Sequence, residues 1–154
     1  MPQRPRSERQ VPELFIGVVG TLNFLDEAVK LCSLAGIEAR AYPLNRYGPA
    51  IRWLVSRDFR RCTMLYQPGA GGIKYIVAGR LLGRPTIKHW IGSDAHSLAD
   101  GRGLAHAFKV WILRNWPAYH LAVTQGLADR LAPLGIRTAG IVRYVTESVT
   151  IGHL

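Results

Sequence analysis

The hydrophobic pattern of the chain alternates between two periods. Leu14 to Gly20, LFIGVVG, is a continuous apolar run of strand length, the signature of a strand covered on both faces. Thr21 to Ala35 then places Leu25, Ala28, Val29, Cys32 and Ala35 at helical spacing, with Asn23 and Asp26 set like a capping pair and Gly36 as the stop. The unit recurs. Ile37 to Tyr42 reads as a strand closed by Pro43, and Pro49 to Phe59 as a helix with Arg52, Arg57 and Arg60 on its outer face. Thr63 to Tyr66 is a third strand, Pro68 to Gly72 a turn, and Ile73 to Leu82 a helix stopped by Gly83 and Pro85. Thr86 to Ile91 is a fourth strand. Leu104 to Asn115 is helical, with Leu104, Ala107, Phe108, Trp111 and Ile112 on one wide apolar face. His120 to Val123, a helix over Gln125 to Leu134 stopped by Gly135, and a strand over Gly140 to Val145 complete the series.

Strands that alternate with helices of this length imply parallel pairing, because each crossover carries the chain back across the sheet. The expected fold is α/β: a single Rossmann-like, doubly wound, mostly parallel sheet of six strands with helices on both faces. Its bounds are 13–146, after a basic, disordered tail over 1–12 and before a frayed end or linker start over 147–154. There is no internal repeat or low-complexity segment.

Charge changes the picture next. Sixteen Arg and four Lys against ten acids give a net charge of +10, a field that draws polyanions such as nucleic acid, anionic lipid or phosphorylated substrates. An arginine-rich surface with no such partner is the plainer alternative. Cys32 and Cys62 show no CxxC spacing and no His cluster, so both read as reduced structural residues, with no metal site and no cofactor expected. No apolar run reaches membrane-spanning length and the first ten residues lack a signal-peptide core, which predicts a cytoplasmic protein.

In an open parallel sheet, ligands sit outside the carboxyl ends of the strands. That rule selects Gly20-Thr21-Leu22-Asn23, the run Gln67 to Gly72 with Gly69, Gly71 and Gly72, Gly92-Ser93-Asp94-Ala95-His96, and Thr124-Gln125. Gly20-Thr21 can offer amides to an anion, yet a tight strand-to-helix turn explains the glycine equally well. Three glycines in four positions allow close approach of a ligand or of another backbone. His96 beside Asp94 suits general base or hydroxyl-binding chemistry, against a reading in which Asp94 caps the next segment. His89 reads as a core histidine or a third site member, and His106 and His120 as structural. No Walker loop and no GxSxG elbow is present, which disfavours ATPase and hydrolase chemistry.

The run KHWIGSDAHSL (88–98) and the later segment YHLAVTQGLADRLAPLGIRTAGIV (119–142) carry a resemblance. They resemble the amino-terminal half of GT-B-fold glycosyltransferases of the group 1, family 4-like type. The specific motifs fall in roughly the last 60 residues, although the likeness extends over 14–145. The resemblance implies an acceptor-binding domain of a hexosyltransferase, with a nucleotide-sugar donor and a saccharide or lipid-linked acceptor. By that likeness Gly20, Thr21, Gly69, Gly71, Gly72, Gly92, Ser93, Asp94 and His96 would line the acceptor side of an interdomain cleft, where the base chemistry already read for Asp94 and His96 makes those two the expected catalytic residues. The paired-glutamate and phosphate-gripping motifs of the donor lobe are not among these residues. The expectation is therefore a donor lobe supplied by a further domain or subunit, and little activity without it. The basic helix residues Arg52, Arg57, Arg60 and Arg61 would then face an anionic membrane surface, making the protein peripheral at the inner membrane.

Two other classes fit the same pattern. A non-catalytic, flavodoxin-like nucleotide or phospholigand module would use the same strand-end loops. A basic nucleic-acid-binding protein fits the charge, but the aromatics fall at expected core positions and no RNA-binding signature is present, so nucleic acid is not the expected partner.

Overall fold

The computed structural model describes residues 14–20, 22–43, 57–69 and 72–143. The expected tail over 1–12, the end over 147–154, the first part of the helix read from Pro49, and Thr21, Arg52 and Gly71 lie outside the described residues.

Six strands, β1 (Phe15–Gly20), β2 (Glu38–Pro43), β3 (Met64–Pro68), β4 (Thr86–Trp90), β5 (Tyr119–Ala122) and β6 (Gly140–Ile141), form one sheet in the order β2-β1-β3-β4-β5-β6. Every pairing is parallel. The helices are α1 (Leu22–Leu34), α2 (Arg57–Arg61), α3 (Lys74–Leu81), α4 (Ser93–Ala99), α5 (Leu104–Asn115) and α6 (Gln125–Leu131), the last running into a 3-10 turn over Ala132–Leu134. This is the doubly wound α/β architecture that the alternating periods predict.

Side-chain alternation along β1 explains why both faces are covered. Ile16 and Val18 pack under α1 with Leu25 and Ala28. Phe15 and Val19 point the other way, toward Cys62, Leu65 and Tyr75. The largest cluster lies on that second side, where α3 to α6 close over β4 and β5 through Ile76, Trp90, Leu98, Ile112, Leu113 and Leu131. Gly79 lets α3 approach this side of the sheet, since a Cβ there would stand 2.5 Å from Thr86 Oγ1 and 3.2 Å from the Arg84 carbonyl.

Three details differ from the pattern read along the chain. The segment between β4 and α5 contains a separate helix, α4, which is too short for its apolar residues to show a period. The sixth strand is described as two paired residues only. And α5 faces its core with Ile112 and Leu113, whereas Leu104 is 92%, Phe108 59% and Trp111 51% exposed. Of the apolar face read from the spacing, Ile112 is in the core, while Leu104, Ala107, Phe108 and Trp111 lie on the outer side.

Gly79→Ala should destabilise the fold by about 1–3 kcal/mol through overpacking. Gly126→Ala, at a helical position with nothing near its would-be Cβ, should be neutral or stabilising by up to about 1 kcal/mol. Urea unfolding midpoints of the two variants check this, and equal shifts would contradict the close approach of α3.

Candidate functional site

Strand β4, TIKHW, sets the site because its alternate residues serve different faces. Lys88 and Trp90 point to the side of α3 to α6, and Lys88 Nζ lies 4.5 Å from the Trp90 ring centroid. His89 points to the opposite side.

A lysine in a central parallel strand must find a partner or lose its charge. Lys88 Nζ donates to Asp94 Oδ2 at 2.7 Å and to the carbonyl of Gly69, and the two charged side chains are 4% and 7% exposed. Burial pushes the Lys88 ammonium below its ordinary range, and the Asp94 charge opposes that shift. The remaining carboxylate oxygen of Asp94 accepts the backbone N–H groups of Ile91 (3.2 Å), Gly92 (3.1 Å) and Ala95 (3.0 Å). One carboxylate thus closes the strand-to-helix turn from the second position of α4. The cap position itself is Gly92, at φ 143°, a conformation that favours glycine. The Gly69 bend is fixed against the same turn: a Cβ on Gly69 (φ +63°) would lie 2.5 Å from Ile91 Cδ1.

These constraints frame a cavity of about 310 Å³ at the carboxyl ends of β3 and β4, lined by Gly69, Gly72, Trp90, Ser93, Ser97 and Lys109 among others, with Lys88 and Asp94 in its wall. The cavity therefore gathers Gly69, Gly72, Ser93 and Asp94 from the residues singled out in the sequence. Gly20 ends β1 beside Pro68, where its would-be Cβ lies 3.0 Å from the Pro68 carbonyl, and it does not line the cavity.

Asp94 and His96 part company. The Asp94 carboxylate is committed to Lys88 and three amides, while His96 is exposed and its Nδ1 accepts from Arg130 at 2.7 Å. Arg130 also meets Asp100 at 3.5 Å. His96 is not among the residues lining the cavity.

Lys88, Trp90, Ser97 and Lys109 were missed by sequence reasoning. Lys88 did carry a signal: a lone cation inside an apolar strand, with an acid six residues later at the start of the next element. Lys109 and Ser97 carried none, because only the packing of α4 and α5 brings them to the cavity.

The histidines on the sheet are buried. His89 Nε2 donates to the Val142 carbonyl at 3.0 Å, which leaves Nδ1 to accept from the Tyr66 hydroxyl at 2.5 Å. Burial lowers its pKa. The Trp90 indole donates to His120 Nδ1 at 3.2 Å. Burial, with the Lys88 charge adding, pushes His120 down to about 4. Among the described residues no cluster of His, Cys, Asp or Glu could hold a metal ion, neither cysteine forms a disulfide, and no helix is long and apolar enough to cross a membrane.

No protein-family model, no curated protein and no solved structure matches the chain.

Removing one member of the ion pair leaves an uncompensated charge, so Lys88→Met or Asp94→Asn alone should cost about 3–5 kcal/mol. The double variant should cost less than the sum of the two. A double-mutant cycle in urea measures the coupling, and simple additivity would show that Lys88 and Asp94 do not stabilise one another.

The buried histidines predict acid sensitivity. The unfolded chain takes up a proton at His120 near pH 6.5 and the folded chain only near 4, so stability falls as pH drops through that window. The loss from His120 is about 3 kcal/mol. His120→Asn, which keeps an acceptor for Trp90, should flatten the slope between those pH values; an unchanged slope would assign the sensitivity elsewhere.

Proposed function

We propose that this domain is the acceptor-side half of a glycosyltransferase that moves a hexose from a nucleotide-sugar to a saccharide or lipid-linked acceptor. In this reading a second α/β lobe, joined to it or separate, grips the donor across the crevice. The observation that carries the proposal is the composition of the cavity at the ends of β3 and β4. The buried indole of Trp90 gives it an apolar wall, and Ser93, Ser97 and Lys109 supply hydroxyl and ammonium groups around it. A sugar ring presents C–H faces and a rim of hydroxyls, and such a mixed lining meets both. The motif resemblance falls on the same residues, from Lys88 to Leu98.

Within this reading, Asp94 acts as a positioning residue. With Oδ2 on Lys88 and Oδ1 on three amides, it holds Ser93 and the Gly92 turn at the rim. Ser93, Ser97 and Lys109 contact and orient the acceptor. Stabilisation of the departing diphosphate falls to the donor lobe.

The flavodoxin-like module is the second reading, and one observation favours it. The order β2-β1-β3-β4-β5-β6 reverses between β1 and β3, the arrangement in which flavodoxin-like domains bind a phosphorylated ligand at the switch point.

Ligand-observed NMR and calorimetry with a panel of oligosaccharides, glycolipid headgroups, nucleotides and nucleotide-sugars separate the two. The transferase reading expects saccharide binding that Ser93→Trp, which fills the cavity mouth, weakens by roughly tenfold or more. A tight one-to-one complex with a free nucleotide, indifferent to that substitution, would replace it with the phospholigand module.

A further inference from the structure

The outer surface of the layer formed by α3 and α5 is both apolar and cationic. Along α5, Leu104, Phe108 and Trp111 recur at i, i+4 and i+7 and form one exposed stripe. The Phe108 and Trp111 rings stack at 6.1 Å, and Trp116 meets Trp111 edge-on at 5.9 Å. Helix α3 packs beside α5 and ends in Leu81 and Leu82, 77% and 50% exposed. Scattered exposed apolar residues are ordinary, but aromatic and leucine side chains gathered on adjacent helices are not.

The charges around this stripe are predominantly positive. Neither α3 nor α5 contains an acid, and from residue 59 to residue 128 the only acids are Asp94 and Asp100. Asp94 is buried against Lys88, and Asp100 faces Arg130. Lys74, Arg80, Arg102 and Arg114 are exposed on or beside the two helices. The Arg84 guanidinium donates to the Arg60 carbonyl at 2.9 Å, which joins the exposed arginines of α2 to the end of α3.

We propose that this face seats the protein on an anionic lipid bilayer, with α5 lying in the interface plane and its Leu104, Phe108 and Trp111 side chains entering the headgroup boundary. An amphipathic helix with Trp, Phe and Leu on one side and flanking cations is the form that binds there, through buried apolar area together with attraction to anionic headgroups. A nucleic-acid duplex held through its phosphates would use the cations and leave the stripe without a partner, and a single strand could stack its bases on Phe108 and Trp111 but would leave Leu104, Leu81 and Leu82 uncovered. The arginines of α2, Arg57, Arg60 and Arg61, lie on the same layer and extend the attraction, while the insertion belongs to α5. This inference does not rest on the transferase reading, because seating on lipid requires neither donor nor acceptor.

The full chain is tested by sedimentation with vesicles of phosphatidylcholine alone and of phosphatidylcholine mixed with phosphatidylglycerol. Binding should require the anionic lipid and weaken with salt. A combined Leu104→Ser, Phe108→Ser, Trp111→Ser variant should lose roughly tenfold or more of that binding with an unchanged urea midpoint. Arg80→Glu with Arg102→Glu should lose it as well. Tryptophan emission should shift to the blue on binding, and Trp111→Phe should remove most of the shift. Three results overturn the proposal. One is equal, weak binding to both vesicle types. Another is full binding by the serine variant with loss only in the charge variant, which would reveal polyanion attraction without insertion. The third is a self-associated species in ultracentrifugation that the serine variant dissolves, which would show a second copy covering the stripe.

Discussion

The buried Lys88–Asp94 pair is the constraint on which the carboxyl edge of the sheet depends. Its Coulombic gain is set against the desolvation of two charges, so its worth lies less in net stability than in the geometry it forces. Three segments meet at the pair: the end of β3 through the Gly69 carbonyl, strand β4 through Lys88 itself, and the first turn of α4 through Asp94 and the amides it holds. An apolar pair of similar volume could fill the space but could not bind a carbonyl and three N–H groups at once. The cavity wall follows from this arrangement.

Much of the fold was legible because buried parallel strands are written as apolar runs. All of β1 is buried, and glycine and proline mark most of the turns. The site was half legible. The strand-end rule picked out Gly69, Gly72, Ser93 and Asp94, all of which the fold gathers, yet it also suggested a working pair of Asp94 and His96 whose side chains have separate partners. Adjacency in one turn does not decide which neighbour a carboxylate chooses. Here a cation six residues upstream, on the face of the strand toward α4, offers the stronger partner. Helix α5 teaches a related lesson. Periodicity groups Leu104, Phe108 and Trp111, but only the position of the sheet decides whether a group of apolar residues points inward.

The crevice and the outer face belong to one layer. Lys109 and Leu113 of α5 line the cavity, while Leu104, Phe108 and Trp111 of the same helix face away from it. A helix that carries a cavity wall on one side and an apolar stripe on the other transmits the orientation of whatever it lies on to the opening beside it. If α5 seats the protein on a bilayer as proposed, that surface and the opening of the cavity are held in one fixed relation by a single helix.

The imidazole of His89 has a reach that its place in the sheet does not suggest. It starts on β4 and donates to the Val142 carbonyl just beyond β6, while its other nitrogen accepts from the Tyr66 hydroxyl of β3. Among the described residues β6 has two paired residues, and the His89 ring adds a side-chain link to the backbone bonds from Ala139 to His120 and from Val142 to Ala122 that hold it against β5. The edge of the molecule is thus linked to its centre, and because one nitrogen donates a hydrogen bond while the other accepts one, the link has a fixed polarity that no aliphatic side chain could reproduce.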